Sequence, residues 1–257
     1  MSLVVLLTDF GAKDYFVGVM KGVISSINPL LRTIDLDHEI EPQNVKQAAF
    51  VLWASRRFFP EDSVFVNVVD PGVGSKRRII CGRIDGQIFL APDNGLLDFV
   101  VSEGGDAEFF EVTNPKFFQR TVSSTFHGRD IFAPVAAYLS RGARLNELGK
   151  QFDYPPVNPF YVKIGKGKNL GEVVYQDRFG NVLTSFLWDD SLLASKSSVK
   201  LNSGTITKFV RTYSDGRPGI PVCVRSSSGL IEIAVNLGDA SKAMKSRIGQ
   251  KVTLVFR

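Results

Sequence analysis

The stretch "SVFVNVVDPGVGSKRR" at residues 63–78 decides the fold class of this chain. Its first half is an apolar run rich in valine, which is typical of a strand that is buried on both faces. The run ends at an aspartate and a proline, and two glycines follow in a tight loop. Because open α/β sheets bind their ligands beyond the carboxyl ends of the strands, we expect a ligand site at this loop.

The segments around this strand alternate between strand-like and helix-like patterns. "LVVLLTDFG" precedes the helical spacing of "DYFVGVMKGVISSI", and "RTIDLD" precedes "NVKQAAFVLWASRRF". Further on, "RRIICGRI" and "QIFLAP" flank an Asp-Gly turn and predict a hairpin. The alternation predicts an α/β domain over residues 1–156, with a mostly parallel sheet flanked by helices.

The pattern changes at the proline-rich stretch "FDYPPVNPF", residues 152–160. Its three prolines cannot continue a helix or a central strand, so we expect a domain boundary there. Beyond it, short alternating segments are separated by glycine, serine and aspartate turns. This pattern predicts a smaller all-β domain over residues 160–257, either a sandwich or a barrel.

The composition excludes several classes of protein. Of the 257 residues, 44% are hydrophobic and 22% are charged, as in an ordinary soluble protein. The apolar run near the N-terminus is short and ends at Asp9, so we expect neither a signal peptide nor a membrane span, and a cytoplasmic location. The net charge of +5 comes from scattered basic residues without a nucleic-acid-binding motif, so we expect no nucleic-acid partner.

The two cysteines and two histidines do not form a metal-binding pattern. Cys81 and Cys223 are far apart, and each lies in a strand-like run, which predicts reduced thiols in the core. No cysteine and histidine residues have the spacing of zinc ligands. We therefore expect no metal site.

Three aspartates end predicted strands: Asp9, Asp70 and Asp93. Each can serve a ligand site, and each can equally cap a turn. Asp70 and Arg77 are seven residues apart across the glycine loop, where they can face each other and hold a small polar molecule. The order Ser75-Lys76-Arg77 differs from that of a phosphate-binding P-loop, so it argues against a nucleoside triphosphate ligand.

The stretch "SSTFHGRDIF" at residues 123–132 contains His127. We expect Ser124 or Thr125 to cap the helix that follows, which places His127 near its first turn, pointing at the strand ends. A helix N-terminus favours a neutral imidazole, which can accept a hydrogen bond from water and orient it; a purely structural role is the alternative. The other histidine, His38 in "LDHEIEP", is predicted to be a hydrogen-bonding group of a loop.

Seven motifs together resemble a known family, the S-adenosyl-L-methionine (SAM) hydroxide adenosyltransferases, or SAM hydrolases. This family is related to the fluorinating and chlorinating enzymes. The motifs are spread over nearly the whole chain: "TDFG" at 8–11, "DHEIEP" at 37–42, "VVDPGVGS" at 68–75, "APDNGLL" at 91–97, "TFHGRDIFAP" at 125–134, "DRFGN" at 177–181 and "LIEIAVN" at 230–236.

The resemblance implies a two-domain fold and a homotrimer, with the ligand held between the N-terminal domain of one subunit and the C-terminal domain of its neighbour. It implies attack of water on the ribose C5′ of SAM, which yields adenosine and methionine; SAM is then the substrate, and no separate cofactor is expected. The family's catalytic positions fall on Asp70, Arg77 and His127. Arg77 and His127 would position the water, and Asp70 would receive its proton directly or through the network, although the sequence leaves the proton acceptor open.

The resemblance also implies binding roles. Asp9 would accept the ribose hydroxyls, Asn181 would pair with the adenine edge, and Tyr213 would stack on the base. The methionine end has an ammonium group that needs hydrogen-bond acceptors. Three polar residues would bind it: Asp177, Ser227 and Glu232.

Water is favoured over a halide as the nucleophile. Where the fluorinating relatives carry a tyrosine, a threonine and a serine, the aligned positions here are Asp70, Val73 and Gly128. A carboxylate repels a halide ion but can accept a proton from water. Two alternatives remain: a non-catalytic sensor of adenosine or SAM, and adenosyl transfer to another small nucleophile such as a halide.

Overall fold

The computed structural model describes residues 3–155, 163–165 and 167–256. The chain divides into two compact units, Met1–Val157 and Asn158–Arg257. The proline-rich stretch at 152–160 is described only as far as residue 155, so the remainder of the predicted boundary lies outside the described residues.

The first unit is built on a seven-stranded sheet in the order β2-β1-β3-β5-β4-β6-β7. Strand β1 pairs in parallel with β2 and β3, and β3 pairs in parallel with β5. The pairings β4–β5, β4–β6 and β6–β7 are antiparallel. The strands are β1 (Leu3–Thr8), β2 (Arg32–Asp37), β3 (Val64–Val68), β4 (Ile79–Ile84), β5 (Gln87–Pro92), β6 (Ala107–Glu111) and β7 (Gln151–Phe152).

The prediction of a mostly parallel sheet is not confirmed, because the sheet is mixed. Asp85 and Gly86 have φ values of 48° and 83°, and they join β4 to β5 in the predicted two-residue hairpin. Strands joined by so short a turn can pair only in the antiparallel sense, whereas parallel strands need a long crossover. Strands β6 and β7 then extend the antiparallel part from the other edge of β4.

In the described part of this unit, four α-helices accompany the sheet: α1 (Phe16–Ile27), α2 (Val45–Arg56), α3 (Asp98–Val101) and α4 (Ala133–Ser140). Val4 and Leu6 of β1 share a hydrophobic core with buried residues of α1 and α4. Because side chains alternate along a strand, the equally buried Val5 and Leu7 face the other side of the sheet. The predicted flanking helices are therefore present, and they leave the carboxyl ends of β1 and β3 open for the site.

The described residues of the second unit form an antiparallel sheet in the order β12-β11-β15-β9-β10-β14-β13, with β8 paired to β9, and include one short α-helix, α5 (Ala240–Ala243). The Val210 N–H donates to the Cys223 carbonyl (2.9 Å), and the Cys223 N–H donates to the Lys208 carbonyl (2.8 Å). These bonds connect the segment after β12 to β13, so the sheet is a nearly closed barrel. The strands are β8 (Lys163–Gly165), β9 (Lys168–Gln176), β10 (Val182–Leu187), β11 (Ser198–Leu201), β12 (Gly204–Ile206), β13 (Pro221–Arg225), β14 (Leu230–Val235) and β15 (Lys251–Val255).

Three expectations about composition concern the described part of the chain. Cys81 and Cys223 are both free and buried, which confirms the prediction of reduced core thiols. Among the described residues, no helix is long and apolar enough to cross a bilayer. The same residues contain no group of three or more histidine, cysteine, aspartate or glutamate side chains that could hold a metal ion.

Candidate active site

A cavity of about 400 Å³ lies at the carboxyl ends of β1 and β3 in the first unit. Its wall is formed by the segments that follow β1, β2 and β3, by the start of α1 and by the segment before α4. Three predicted site residues, Asp9, Asp70 and His127, line it, together with Phe10, Phe16 and Phe126.

Asp70, Arg77 and His127 form one hydrogen-bonded row. Nε of Arg77 donates to both carboxylate oxygens of Asp70 (3.1 Å to Oδ1, 2.9 Å to Oδ2), and Nη2 donates to Oδ2 (2.5 Å). The same Nη2 lies 2.7 Å from Nδ1 of His127. Because a guanidinium can only donate, Nδ1 of His127 accepts this bond, and the neutral imidazole carries its hydrogen on Nε2.

The glycine loop brings Arg77 back onto Asp70. The Val73 N–H donates to the Asp70 carbonyl (3.2 Å), and the Ser75 N–H donates to the Gly72 carbonyl (3.0 Å), which makes two successive turns. Gly74 has a φ of 75°, and a Cβ there would overlap the carbonyl oxygen of Ser124. A residue without a side chain is therefore required where this loop touches the segment that leads to His127.

The environment of His127 favours the neutral imidazole. Burial and the positive charge of Arg77 lower the pKa of His127 below its usual 6.5, against the opposing effect of Asp70 and Asp130. The row is also protected from solvent, because the side chains of Arg77 and Asp70 are only 12% and 5% exposed. At neutral pH the imidazole can therefore keep accepting from Arg77.

The predicted helix cap before His127 is wrong. His127 itself precedes a π-helical turn, Gly128–Phe132, which runs into α4, and no side chain caps this turn. The hydroxyls of Ser123 and Thr125 instead lie 3.1 Å from each other. A wider π-helical turn often marks a functional site, and here it places His127 beside Arg77.

Asp9 projects from the end of β1, and its Oδ2 accepts the N–H of Gln43 (2.8 Å). Beneath it, the Thr8 hydroxyl lies 2.8 Å from Nδ1 of His38 and accepts the N–H of Phe10 (3.2 Å). His38 is buried, which confirms its prediction as a hydrogen-bonding group of a loop. These contacts hold Asp9 in position. In the described part of the chain, the hydrogen bond from Gln43 occupies Oδ2 of Asp9, and Oδ1 can still accept from a ligand.

In the second unit, four of the predicted binding residues form two bonded pairs. Oδ2 of Asp177 accepts from the side-chain amide of Asn181 (2.8 Å), and the Tyr213 hydroxyl donates to Oε1 of Glu232 (2.7 Å). Glu232 is only 4% exposed; burial raises its pKa, the bond from Tyr213 opposes that rise, and the charge of Asp177 adds to it. The effect of Asp177 on both Glu232 and Tyr213 indicates that the two pairs are neighbours.

Ser227 is not part of this group in the described structure. It is exposed in the turn that joins β13 to β14, where the hydroxyls of Ser226 and Ser228 lie 2.9 Å apart. No hydrogen bond between described residues joins Ser227 to Tyr213 or Glu232, so this predicted residue is not part of the bonded pairs.

Sequence reasoning missed several aromatic residues. Phe126 packs edge-on against Phe10 (6.0 Å between ring centres) and Phe16 (5.1 Å), so the cavity has an apolar wall. In the second unit, Phe179 is 78% exposed within the turn that holds Asn181. The sequence did contain a signal for two of these residues, because Phe10 directly follows the candidate Asp9 and Phe126 directly precedes the candidate His127.

A second cavity of about 670 Å³ lies at the opposite ends of the strands. It is lined by Val64, the first residue of β3, and by Ile88 near the start of β5, and its rim carries Arg83 and Glu108. None of the predicted site residues borders it. The larger cavity carries ion pairs of Arg83 with Asp62 (3.9 Å) and Glu108 (3.8 Å). The smaller cavity is the candidate active site, because Asp70 and His127, which Arg77 joins by hydrogen bonds, line it.

Comparisons with known proteins match both units. The models of the SAM hydroxide adenosyltransferase N-terminal and C-terminal domains match residues 4–149 and 171–253. A relative from Thermus thermophilus, named (R)-S-adenosyl-L-methionine hydrolase, is 32% identical and covers 99% of this chain and 100% of its own. A relative from Actinoplanes sp., named fluorinase, is 28% identical and covers 98% of this chain and 97% of its own. The crystal structure of an uncharacterized conserved protein from Thermotoga maritima matches with a TM-score of 0.90 and 38% identity, over 98% of this chain and 100% of its own.

Proposed function

The chain belongs to the SAM hydroxide adenosyltransferase family, and on that premise we propose that it hydrolyses SAM to adenosine and L-methionine by attack of water on the ribose C5′. The observation that carries this proposal is the row Asp70–Arg77–His127, two members of which line the cavity. SAM is the substrate in this reaction, and the proposed chemistry needs no separate cofactor.

The reaction makes modest chemical demands on the protein. The sulfonium of SAM leaves as a neutral thioether, so no general acid is needed at sulfur. The protein has to align a water molecule behind C5′, opposite the carbon–sulfur bond, and to remove its proton. The overall balance is SAM and water giving adenosine, methionine and one proton.

The bond between Arg77 and His127 supports a division of roles. With Nδ1 occupied by Arg77, the neutral His127 offers only its Nε2–H, so it donates a hydrogen bond to the oxygen of water and positions it. This assignment replaces the expectation that the imidazole accepts a hydrogen bond from water. Oδ1 of Asp70 receives only the longer, 3.1 Å bond from Arg77, and it therefore keeps the capacity to accept the proton.

The remaining polar residues are assigned to substrate binding. Asp9 accepts hydrogen bonds from the ribose hydroxyls, and the phenylalanine wall packs against the apolar faces of the adenosyl group. Asn181 pairs with the adenine edge, and the methionine end binds through three polar residues, Asp177, Ser227 and Glu232. The hydroxyl of Tyr213 is committed to Glu232, so the exposed ring of Phe179 is a second candidate for stacking on the base.

The expectations about assembly and location stay predictions. They are a homotrimer, with a ligand site shared between neighbouring subunits, a cytoplasmic location and the lack of a nucleic-acid partner. Light scattering on the eluting protein tests the trimer, which would have three times the chain mass of 28.3 kDa. A monomeric mass at working concentration would contradict it.

Incubation with SAM in ¹⁸O-enriched water tests the proposed reaction. We expect mass spectrometry to find one ¹⁸O atom in the 5′-hydroxyl of adenosine and none in methionine, because water attacks carbon and the thioether leaves unchanged. A parallel incubation with chloride should give the same products. A 5′-chlorinated nucleoside would indicate halide transfer, and saturable binding of SAM that stays intact would indicate a sensor.

A further inference from the structure

The proposed mechanism leaves unused a buried carboxylate, that of Asp130, three residues after His127. Asp130 is 2% exposed. Nε of Arg129 donates to its Oδ1 (2.6 Å) and Nη2 of Arg129 to its Oδ2 (2.9 Å), while the backbone N–H of Ser123 also donates to Oδ2 (2.8 Å). Burial raises its pKa, but these hydrogen bonds outweigh burial and hold the pKa of Asp130 below its usual value. Asp130 is therefore a fully partnered anion.

Asp130 forms hydrogen bonds with both ends of the loop at residues 119–127, which leads to His127. Its carboxylate holds the backbone of Ser123, and its carbonyl oxygen accepts the N–H of Gln119 (2.9 Å). Its own N–H donates to the carbonyl of Phe126 (3.2 Å), the residue directly before His127. The loop from 119 to 127 therefore has three points of attachment to one residue.

The same loop touches the loop that carries Arg77. Ser124 directly follows Ser123, whose N–H donates to Asp130. The carbonyl oxygen of Ser124 lies so close to Gly74 that it leaves no room for a side chain there. On the cavity side, the Arg129 guanidinium lies 5.2 Å from the centre of the Phe126 ring. The Asp130–Arg129 pair thus sets the position of a cavity wall and the spacing between the two segments that carry Arg77 and His127.

We propose that Asp130 is a positioning residue for the hydrolysis, and that its ion pair with Arg129 locks the 119–127 loop so that Nδ1 of His127 stays within hydrogen-bonding distance of Arg77. This inference rests on the proposed function. Asp130 does not touch the water or C5′, and it acts through His127. Loss of the lock lets the imidazole shift by a fraction of an ångström or more, which is enough to lower the rate of a reaction that depends on alignment.

Charge gives Asp130 a second, measurable effect on His127. The charged groups that act on this imidazole are Arg77 and Asp70 from the glycine loop and Asp130 from its own turn. Arg77 lowers the pKa of His127, whereas Asp70 and Asp130 raise it. Removing the negative charge of Asp130 must therefore lower that pKa further. The titration of His127 therefore reports whether the charge of Asp130 acts on the imidazole, and the kcat of the variants reports whether Asp130 positions it.

Asp130→Asn and Asp130→Ala test the inference, with Glu103→Gln as the matched control. Asparagine keeps an acceptor for the Ser123 N–H but loses the charge, and alanine loses both. Glu103 likewise accepts from an arginine (Arg56, 2.6 Å) and from an N–H (Nε1 of Trp53, 2.7 Å), but neither partner belongs to the segments that carry Arg77 and His127. We expect kcat to fall by about tenfold or more in Asp130→Asn and further in Asp130→Ala, with KM changed less than about threefold, and Glu103→Gln to match the wild type.

The NMR signals of the two histidines give a readout that does not depend on activity. Histidine-selective isotope labelling yields only the signals of His38 and His127, and a His127→Gln sample assigns them. We expect the titration of His127 to move to lower pH in Asp130→Asn and to stay in place in Glu103→Gln. Both measurements use the full-length protein.

The outcomes separate this inference from the proposed function. Wild-type kcat in Asp130→Asn, or a His127 titration that does not move, would overturn the positioning role. Equal losses of kcat in Asp130→Asn and Glu103→Gln would also overturn it, because they would reflect stability alone. If the wild type forms no adenosine from SAM, the proposed function fails, and the His127 titration still decides whether Asp130 controls the imidazole. If Asp130→Ala does not fold, Asp130→Asn carries the test.

Discussion

Nη2 of Arg77 lies 2.7 Å from Nδ1 of His127, although the two residues are 50 positions apart in the chain. This contact determines which imidazole nitrogen carries the hydrogen, because the guanidinium has no acceptor. It also assigns the remaining chemistry, since an imidazole that offers only Nε2–H can position a water but cannot take its proton. In the proposed mechanism, the proton therefore goes to Asp70, the other partner of Arg77.

The first prediction concerns Asp70. Asp70→Asn keeps the shape of the side chain but removes the proton acceptor, so we expect kcat for SAM hydrolysis to fall by about 100-fold or more. SAM affinity should change only a few-fold, because the substitution removes chemistry rather than a wall of the cavity. Single-turnover formation of adenosine and calorimetric titration with SAM measure the two quantities. A kcat within threefold of the wild type would show that another group accepts the proton.

The second prediction concerns His127. His127→Ala should lower turnover by at least about tenfold while adenosine binding stays largely intact, because the imidazole positions water and not the nucleoside. Steady-state assays and a binding titration with adenosine test this. A parallel loss of adenosine affinity would instead indicate that the imidazole maintains the shape of the cavity.

The third prediction is a pH dependence. The imidazole must be neutral to accept from Arg77, and burial and Arg77 hold the pKa of His127 below 6.5. We therefore expect full activity at pH values above this pKa and a loss of activity as the pH falls through it. In a plot of log kcat against pH, this loss is an acid limb with its midpoint below pH 6.5. Arg77→Gln removes the positive charge, so the limb of its residual activity should move to higher pH. A limb that stays in place in Arg77→Gln would contradict the link between the two residues.

The fourth prediction concerns Gly128, the position that the resemblance aligns with a serine of the fluorinating enzymes. A Cβ at Gly128 would lie 3.2 Å from Sδ of Met20 and 3.3 Å from a ring carbon of Phe126, so a serine must displace buried neighbours. We expect Gly128→Ser to cost about 1–3 kcal/mol of stability, to lower hydrolysis and to yield no chlorinated nucleoside while Asp70 remains.

The matched control for Gly128→Ser is Gly18→Ser in α1, because a Cβ there meets nothing within 4 Å. Chemical denaturation and product analysis in chloride compare the two variants. An equally stable Gly128→Ser protein would show that the neighbours of Gly128 yield more easily than their packing indicates, and a chlorinated product would contradict the repulsion of halide by Asp70.

The fifth prediction concerns Glu232. Glu232→Gln removes the charge that we assign to the ammonium of methionine, so KM for SAM should rise by about tenfold while adenosine affinity is unchanged. Tyr213→Phe removes the hydrogen bond that lowers the pKa of Glu232, so this pKa should rise further. Glu232 then becomes protonated at a higher pH. As the pH is lowered, the variant should therefore lose SAM affinity at a higher pH than the wild type does. A parallel rise in the dissociation constant of adenosine would place Glu232 at the nucleoside instead.

Much of the fold follows from local patterns. The Asp85-Gly86 hairpin, the helical spacing of α1 and the antiparallel nature of the second unit are all local, because backbone conformation and side-chain alternation act over a few residues. The mixed character of the first sheet is local only at the β4–β5 hairpin, and the antiparallel addition of β6 and β7 is not local. It depends on which strand edge remained free for β6 and β7, and residues far along the chain decide that.

The sequence by itself determined the family, the strand-end positions of Asp9 and Asp70, and the identity of the titratable groups at the cavity, but not its aromatic wall. The tertiary structure alone decided how these groups act on each other. The 2.7 Å bond from Arg77 to His127, the failure of Ser124 or Thr125 to cap a helix, and the hold of Asp130 on Ser123 are all set by contacts. The physical reason is that a side chain's protonation and hydrogen-bonding state depend on the atoms within a few ångströms of it, and the packing of distant segments supplies those atoms.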